Sequence, residues 1–129
     1  MPRNAGLILD TAAVIAYTNG SELVGREISA AADEGLRVVV PAACFATAYQ
    51  KVTSDGWGLL DILGTLPQVV VAPLEHDMCA VLGGWARTLG LDLAQAAIES
   101  ATFPATPLVT DQRRLVTRIL PKEWPIIDL

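Results

Sequence analysis

The sequence is poor in the residues that build disulfide frameworks and soft-metal sites: two cysteines and one histidine in 129 residues. One histidine and two scattered cysteines cannot complete a tetrahedral zinc site. Cys44 and Cys79 each stand inside an apolar stretch, which predicts two buried thiols in a reducing cytoplasm rather than a crosslink. Long hydrophobic runs are missing too. The longest, Val38 to Tyr49, is twelve residues and is broken by Pro41, too short to span a bilayer, so no membrane role is expected. Arg3 and the apolar residues after it faintly resemble a signal peptide, but Asp10 would fall inside the hydrophobic region and no small-residue cleavage site follows, so secretion is not expected. Positive charge is scarce: nine basic residues face fourteen acidic ones, a net charge of -5. The field of the whole molecule therefore repels polyanions, and any nucleic-acid role must come from local chemistry.

What the chain does have is apolar material, 52% hydrophobic residues against 18% charged. That composition predicts one folded domain over residues 1–129, burying roughly two-thirds of the surface its unfolded chain exposes without help from disulfides or structural metal. Leu7-Ile8-Leu9, Val38-Val39-Val40, Val69-Val70-Val71 and Leu108-Val109 are runs of β-formers without polar alternation, as in strands buried on both faces. Trp124 to Ile127 reads as a last edge strand. Helices are predicted over Ala12–Thr18, Ser21–Glu34, Ala42–Val52, Gly58–Leu66, Glu75–Leu89 and Leu93–Ala101. Strands alternating with helices imply a three-layer α/β/α open sandwich around a mainly parallel sheet, with ligand crevices outside the carboxyl ends of the strands.

Two acids are predicted to meet at that edge. Asp10 follows the first strand and Asp111 follows Leu108-Val109-Thr110, so parallel pairing points both carboxylates into one crevice. A hard cation such as Mg²⁺ or Mn²⁺ takes oxygen ligands and often only one or two protein carboxylates, the remainder being water or substrate phosphate. The alternative is that each aspartate simply caps the helix or turn after it.

Four segments, in order and covering nearly the whole chain, resemble the PIN domains, most closely the single-domain VapC-like ribonuclease toxins. They are Leu7-Ile8-Leu9-Asp10-Thr11-Ala12-Ala13-Val14-Ile15-Ala16-Tyr17, Pro41-Ala42-Ala43-Cys44-Phe45-Ala46, Asp92-Leu93-Ala94-Gln95-Ala96-Ala97-Ile98 and Pro107-Leu108-Val109-Thr110-Asp111. The resemblance implies a PIN-like fold, one or two Mg²⁺ or Mn²⁺ ions among four carboxylates, water activated against an RNA phosphodiester, a homodimer and a small antitoxin-like protein partner. It also exposes two departures. Thr47 stands where the family carries an acid six positions beyond the equivalent of Pro41, and Gln95 stands where it carries the helix acid.

In such a site the metal lowers the pKa of the attacking water and neutralises charge on the phosphate. Two missing carboxylates weaken both functions. Compensation is available on paper. Asp92 lies three residues before Gln95 and Glu99 four after it, so both border the same helical face, while Gln95 and Thr47 offer neutral oxygens. Thr11 and Thr110 flank the two aspartates and join the expected lining. Arg113 and Arg114 follow Asp111 and are candidate phosphate contacts, although such a cluster is more often a solvated face. Restoring the acids through Thr47→Glu with Gln95→Asp is expected to create metal binding.

Other chemistries find no support. His76, between Glu75 and Asp77, reads as an exposed first-turn residue, and no Gly-x-Ser-x-Gly turn supplies it with a nucleophile. Gly56-Trp57-Gly58 precedes no lysine, and Gly83-Gly84 falls inside a helix, where it would permit close packing or a kink. A receiver or haloacid-dehalogenase-like domain would place a second acid near Asp10, but Ala12 stands two residues later. Trp57, Trp85, Trp124 and the apolar helix after Gly58 read equally as core or as a partner surface. Two functions compete: a catalytically silent or very weak module that binds a protein or RNA partner, and an active endoribonuclease using Asp10, Asp111 and Asp92.

Overall fold

The β-branched runs assemble into one five-stranded sheet in which every pairing is parallel, in the order β3-β2-β1-β4-β5. The strands are β1 (Ala5–Leu9), β2 (Arg37–Pro41), β3 (Val69–Ala72), β4 (Leu108–Thr110) and β5 (Ile126–Asp128). The computed structural model describes residues 4–102 and 106–129. Helices α1 (Thr11–Thr18), α2 (Glu22–Asp33), α3 (Ala42–Lys51), α4 (Trp57–Thr65), α5 (Cys79–Leu89), α6 (Leu91–Thr102) and the single turn α7 (Arg113–Val116) complete the described chain. The expected three layers and parallel sheet are therefore present, and β5 begins two residues later than the sequence suggested.

The sheet is apolar on both faces because both are covered. Leu7, Leu9, Val38, Val40 and Val109 pack with Ala13, Val14, Val24, Ile28 and Leu63 from the α1, α2 and α4 side. Ile8, Val39 and Leu108 point the other way, onto Leu82, Leu89, Leu93, Ala97 and Val116. Side chains alternate across a strand, so with a helical layer on each face the middle positions of β1 and β2 are apolar in both directions, and polar residues such as Arg37, Thr110 and Asp128 stand at strand ends. Helix α3 contributes to both layers, Ala48 to the first and Cys44 to the second.

Strand order reverses direction between β1 and β4, and the carboxyl ends of these two strands open a crevice there. Helix α6 reaches the same edge because Gly90, at φ +81°, turns the chain between α5 and α6 within one residue, a conformation that costs glycine little.

Three sequence expectations change. Residues His76–Met78 form a 3₁₀ turn, so α5 starts at Cys79 rather than at Glu75. Cys79 is exposed at that start while Cys44 is buried, because an apolar neighbourhood in sequence does not say which helical face turns inward. A Cβ added at Gly83 or Gly84 would meet nothing within 4 Å, so close packing inside the chain is not what these glycines serve. His76 is exposed, as expected. Trp85 and Trp124 are half-buried against the second layer, whereas Trp57 is 45% exposed on α4 with Leu59 and Ile62. No described helix is long and apolar enough to cross a membrane.

Candidate functional site

Asp10 leaves the end of β1 directly into α1. Its backbone is extended, and its Oδ1 accepts the Ala13 N–H at 2.9 Å, the N-cap arrangement expected for aspartate. The side chain is only 3% exposed. Burial pushes its carboxyl up from 3.8 to about 6, and the nearby charges of Asp111 and Asp92 push the same way, against the lowering effect of hydrogen bonds from Thr110 and Ala13. Capping and a place in the crevice are thus combined in one residue.

Asp111 follows β4 and is exposed. Asp92 sits in the first turn of α6, where its Oδ2 accepts the Thr11 hydroxyl at 2.6 Å. The Cys44 thiol donates to the Asp92 carbonyl at 3.1 Å, and burial raises the pKa of that thiol far above the ordinary cysteine value. Asp10, Thr11, Asp92, Asp111, Gln112 and Lys51 line one crevice of about 690 Å³, together with apolar walls that include Ile15 and Leu115. Lys51 is the functional candidate that the sequence did not reveal. The available signal was its position four residues after Thr47, on the same face of α3.

The two neutral positions are committed elsewhere. The Thr47 hydroxyl donates to the Ala43 carbonyl at 2.7 Å within its own helix, and Thr47 is not part of the crevice wall. Gln95 is fully buried. Its Oε1 accepts the Ala43 N–H at 2.8 Å and its Nε2 donates to the Ala72 carbonyl at 3.0 Å, so one amide ties the start of α3 to the end of β3. The same Nε2 lies 3.3 Å from Glu99 Oε2.

Glu99 is 2% exposed and outside the crevice. Its carboxyl is raised mainly by burial, with the Gln95 contact opposing and the charge of Glu75 adding. Of the two acids that flank Gln95 on α6, the structure places Asp92 in the crevice wall and Glu99 outside it. Seven residues of helix advance about 10 Å along the axis, so the residue at the start of α6 reaches the crevice while the one two turns on is carried into the fold.

Thr110 is fully buried and is not part of the crevice wall; its hydroxyl accepts the Gln112 N–H at 2.9 Å and its proximity lowers the Asp10 carboxyl. Arg113 is not free for phosphate. Its guanidinium donates to both carboxylate oxygens of Asp128, at 2.8 and 2.9 Å, and to the Ile126 carbonyl at 3.1 Å. The pairing holds the Asp128 carboxyl below the usual range. Arg114 is exposed, and neither arginine lines the crevice. Replacing Arg113 with methionine is expected to accelerate amide exchange along β5 while leaving β1 and β2 protected, because β5 is an edge strand held in part by this clamp.

The donor chemistry of the crevice suits one hard cation. Asp10 and Asp111 would hold it, with water completing the coordination, and the ion would supply an activated water and charge neutralisation at a phosphate. Among the described residues no three of His, Cys, Asp and Glu are grouped to hold a metal, so such an ion would have no more than two protein carboxylates.

A scan of protein-family models finds no match, and comparison with curated proteins finds no similar sequence. Among solved structures, the chain is similar to one in the crystal structure of VapBC2 from Rickettsia felis bound to a DNA fragment from their promoter. The TM-score is 0.68 at 14% identity, over 95% of this chain and 98% of that one. At that identity the likeness concerns architecture, and the fold is accordingly that of a PIN-like three-layer α/β/α sandwich.

Proposed function

We propose that the protein is a VapC-like member of a toxin–antitoxin pair. Its crevice binds RNA with at most one weakly held Mg²⁺ or Mn²⁺, and its hydrolysis is very slow or absent. The observation that carries this reading is the commitment of Gln95. Both ends of its amide serve the scaffold, so the position cannot donate to a metal without giving up those bonds. A small antitoxin-like partner, homodimerisation and a cytoplasmic location belong to the same reading, which draws on the VapBC2 likeness and on the apolar Trp57, Leu59 and Ile62 exposed along α4.

A second reading, an active Mg²⁺- or Mn²⁺-dependent endoribonuclease, is favoured by one fact: Asp92 shares the crevice with Asp10 and Asp111. Thermal denaturation in Mn²⁺ and incubation with single-stranded RNA separate the two. The expected result is a small rise in Tm at millimolar Mn²⁺ that Asp111→Asn abolishes, with the RNA left intact. Metal-dependent cleavage by the wild type that disappears in Asp111→Asn would establish the second reading instead.

A further inference from the structure

Among the residues lining the crevice, Lys51 is the one cation. It closes the last turn of α3, one turn beyond Thr47, and is exposed. The ion pair found among the described residues is Arg113 with Asp128, so the Lys51 ammonium is not neutralised by a direct acidic neighbour there. Its surroundings are otherwise unfavourable to an anion. Three aspartates share the space, and the molecule carries a net charge of -5. A polyanion entering this crevice meets repulsion unless a cation stands inside it, and an ammonium on a flexible stem binds phosphate as a point charge. The neutral amides of Asn19 and Gln112 in the same wall add hydrogen-bonding groups without charge.

We infer that Lys51 is the phosphate-holding residue of the crevice, contacting one phosphodiester of a bound single-stranded RNA beside the aspartates. This rests on the RNA-binding reading above and replaces Arg113 and Arg114 in the role that the sequence suggested for them.

The test is the salt dependence of binding to a short fluorescent oligouridylate, measured by anisotropy with Mn²⁺ and with EDTA. One phosphate contact in a single strand contributes about 0.7 to the slope of log K against log salt. Lys51→Ala is expected to lower that slope by about 0.7 and to weaken low-salt affinity by about tenfold, while Lys51→Arg keeps the wild-type slope. Tm should be unchanged in both variants, since the side chain is exposed, which separates a lost contact from a damaged fold. Binding by the wild type with an unaltered slope in Lys51→Ala overturns the assignment of Lys51 and leaves RNA binding standing. No binding by the wild type in either buffer overturns the RNA-binding reading and this inference together.

Discussion

Gln95→Asp is expected to destabilise the fold by about 3–5 kcal/mol, the cost typical of an uncompensated buried charge. The wild-type amide donates to the Ala72 carbonyl and accepts from the Ala43 N–H. A carboxylate has no proton to give Ala72, is one methylene too short to span the same gap, and brings a negative charge beside buried Glu99. Against a total stability of about 5–15 kcal/mol for an ordinary domain, this is a large fraction. Urea denaturation at pH 8 measures it directly. The loss should shrink in acid, where the new carboxyl protonates and can donate again. Thr47→Glu, on a half-buried position whose hydroxyl only bonds back to its own helix, is expected to stay within about 1 kcal/mol of wild type. The pair of substitutions that the sequence recommends for restoring a metal site should therefore cost much of the fold's stability, because one of the two positions is part of the scaffold. A Gln95→Asp variant as stable as wild type would show that the amide is not the tie described here.

Asp10→Asn should have the opposite sign. The Asp10 carboxyl lies at about 6 in the fold against an ordinary 3.8, a difference worth roughly 3 kcal/mol if fully realised. Because the folded-state value is raised, this contribution to stability is complete below pH 3.8 and is lost as pH rises through 6. Asparagine removes the charge yet keeps the N-cap acceptor for Ala13. The variant is expected to gain about 2–3 kcal/mol at pH 8, several degrees in Tm, and nothing at pH 3.5. In millimolar Mn²⁺ the wild type should recover part of the difference and the variant should not. A site that stabilises the protein when disarmed is the pattern expected where function holds a charge against the interests of the fold. Equal Tm values at pH 8 would contradict the burial argument.

Much of the scaffold was legible from local patterns. Leu7-Ile8-Leu9 and Val38-Val39-Val40 announce strands covered on both sides, and Asp10 and Asp111, each directly after such a strand, announce the crevice edge. The errors have physical reasons. Helical periodicity placed Asp92 and Glu99 on one face but could not say how far along the axis the crevice extends. Lys51, at the end of a helix, looks like any solvated lysine until α3 is seen against α1 and α6. Arg113 looked available because its partner, Asp128, lies on a strand too short to announce its own register.

The sequence by itself determined the strands, the helices, their parallel assembly and the two aspartates at the carboxyl edge, because these follow from side-chain periodicity and chain connectivity over a few neighbours. Only the tertiary structure decided that Asp92 joins those aspartates, that Lys51 supplies the cation, and that Gln95 belongs to the scaffold. Each of those outcomes depends on groups brought together across dozens of residues by the crossovers, where distance and burial, rather than residue type, settle what a side chain does.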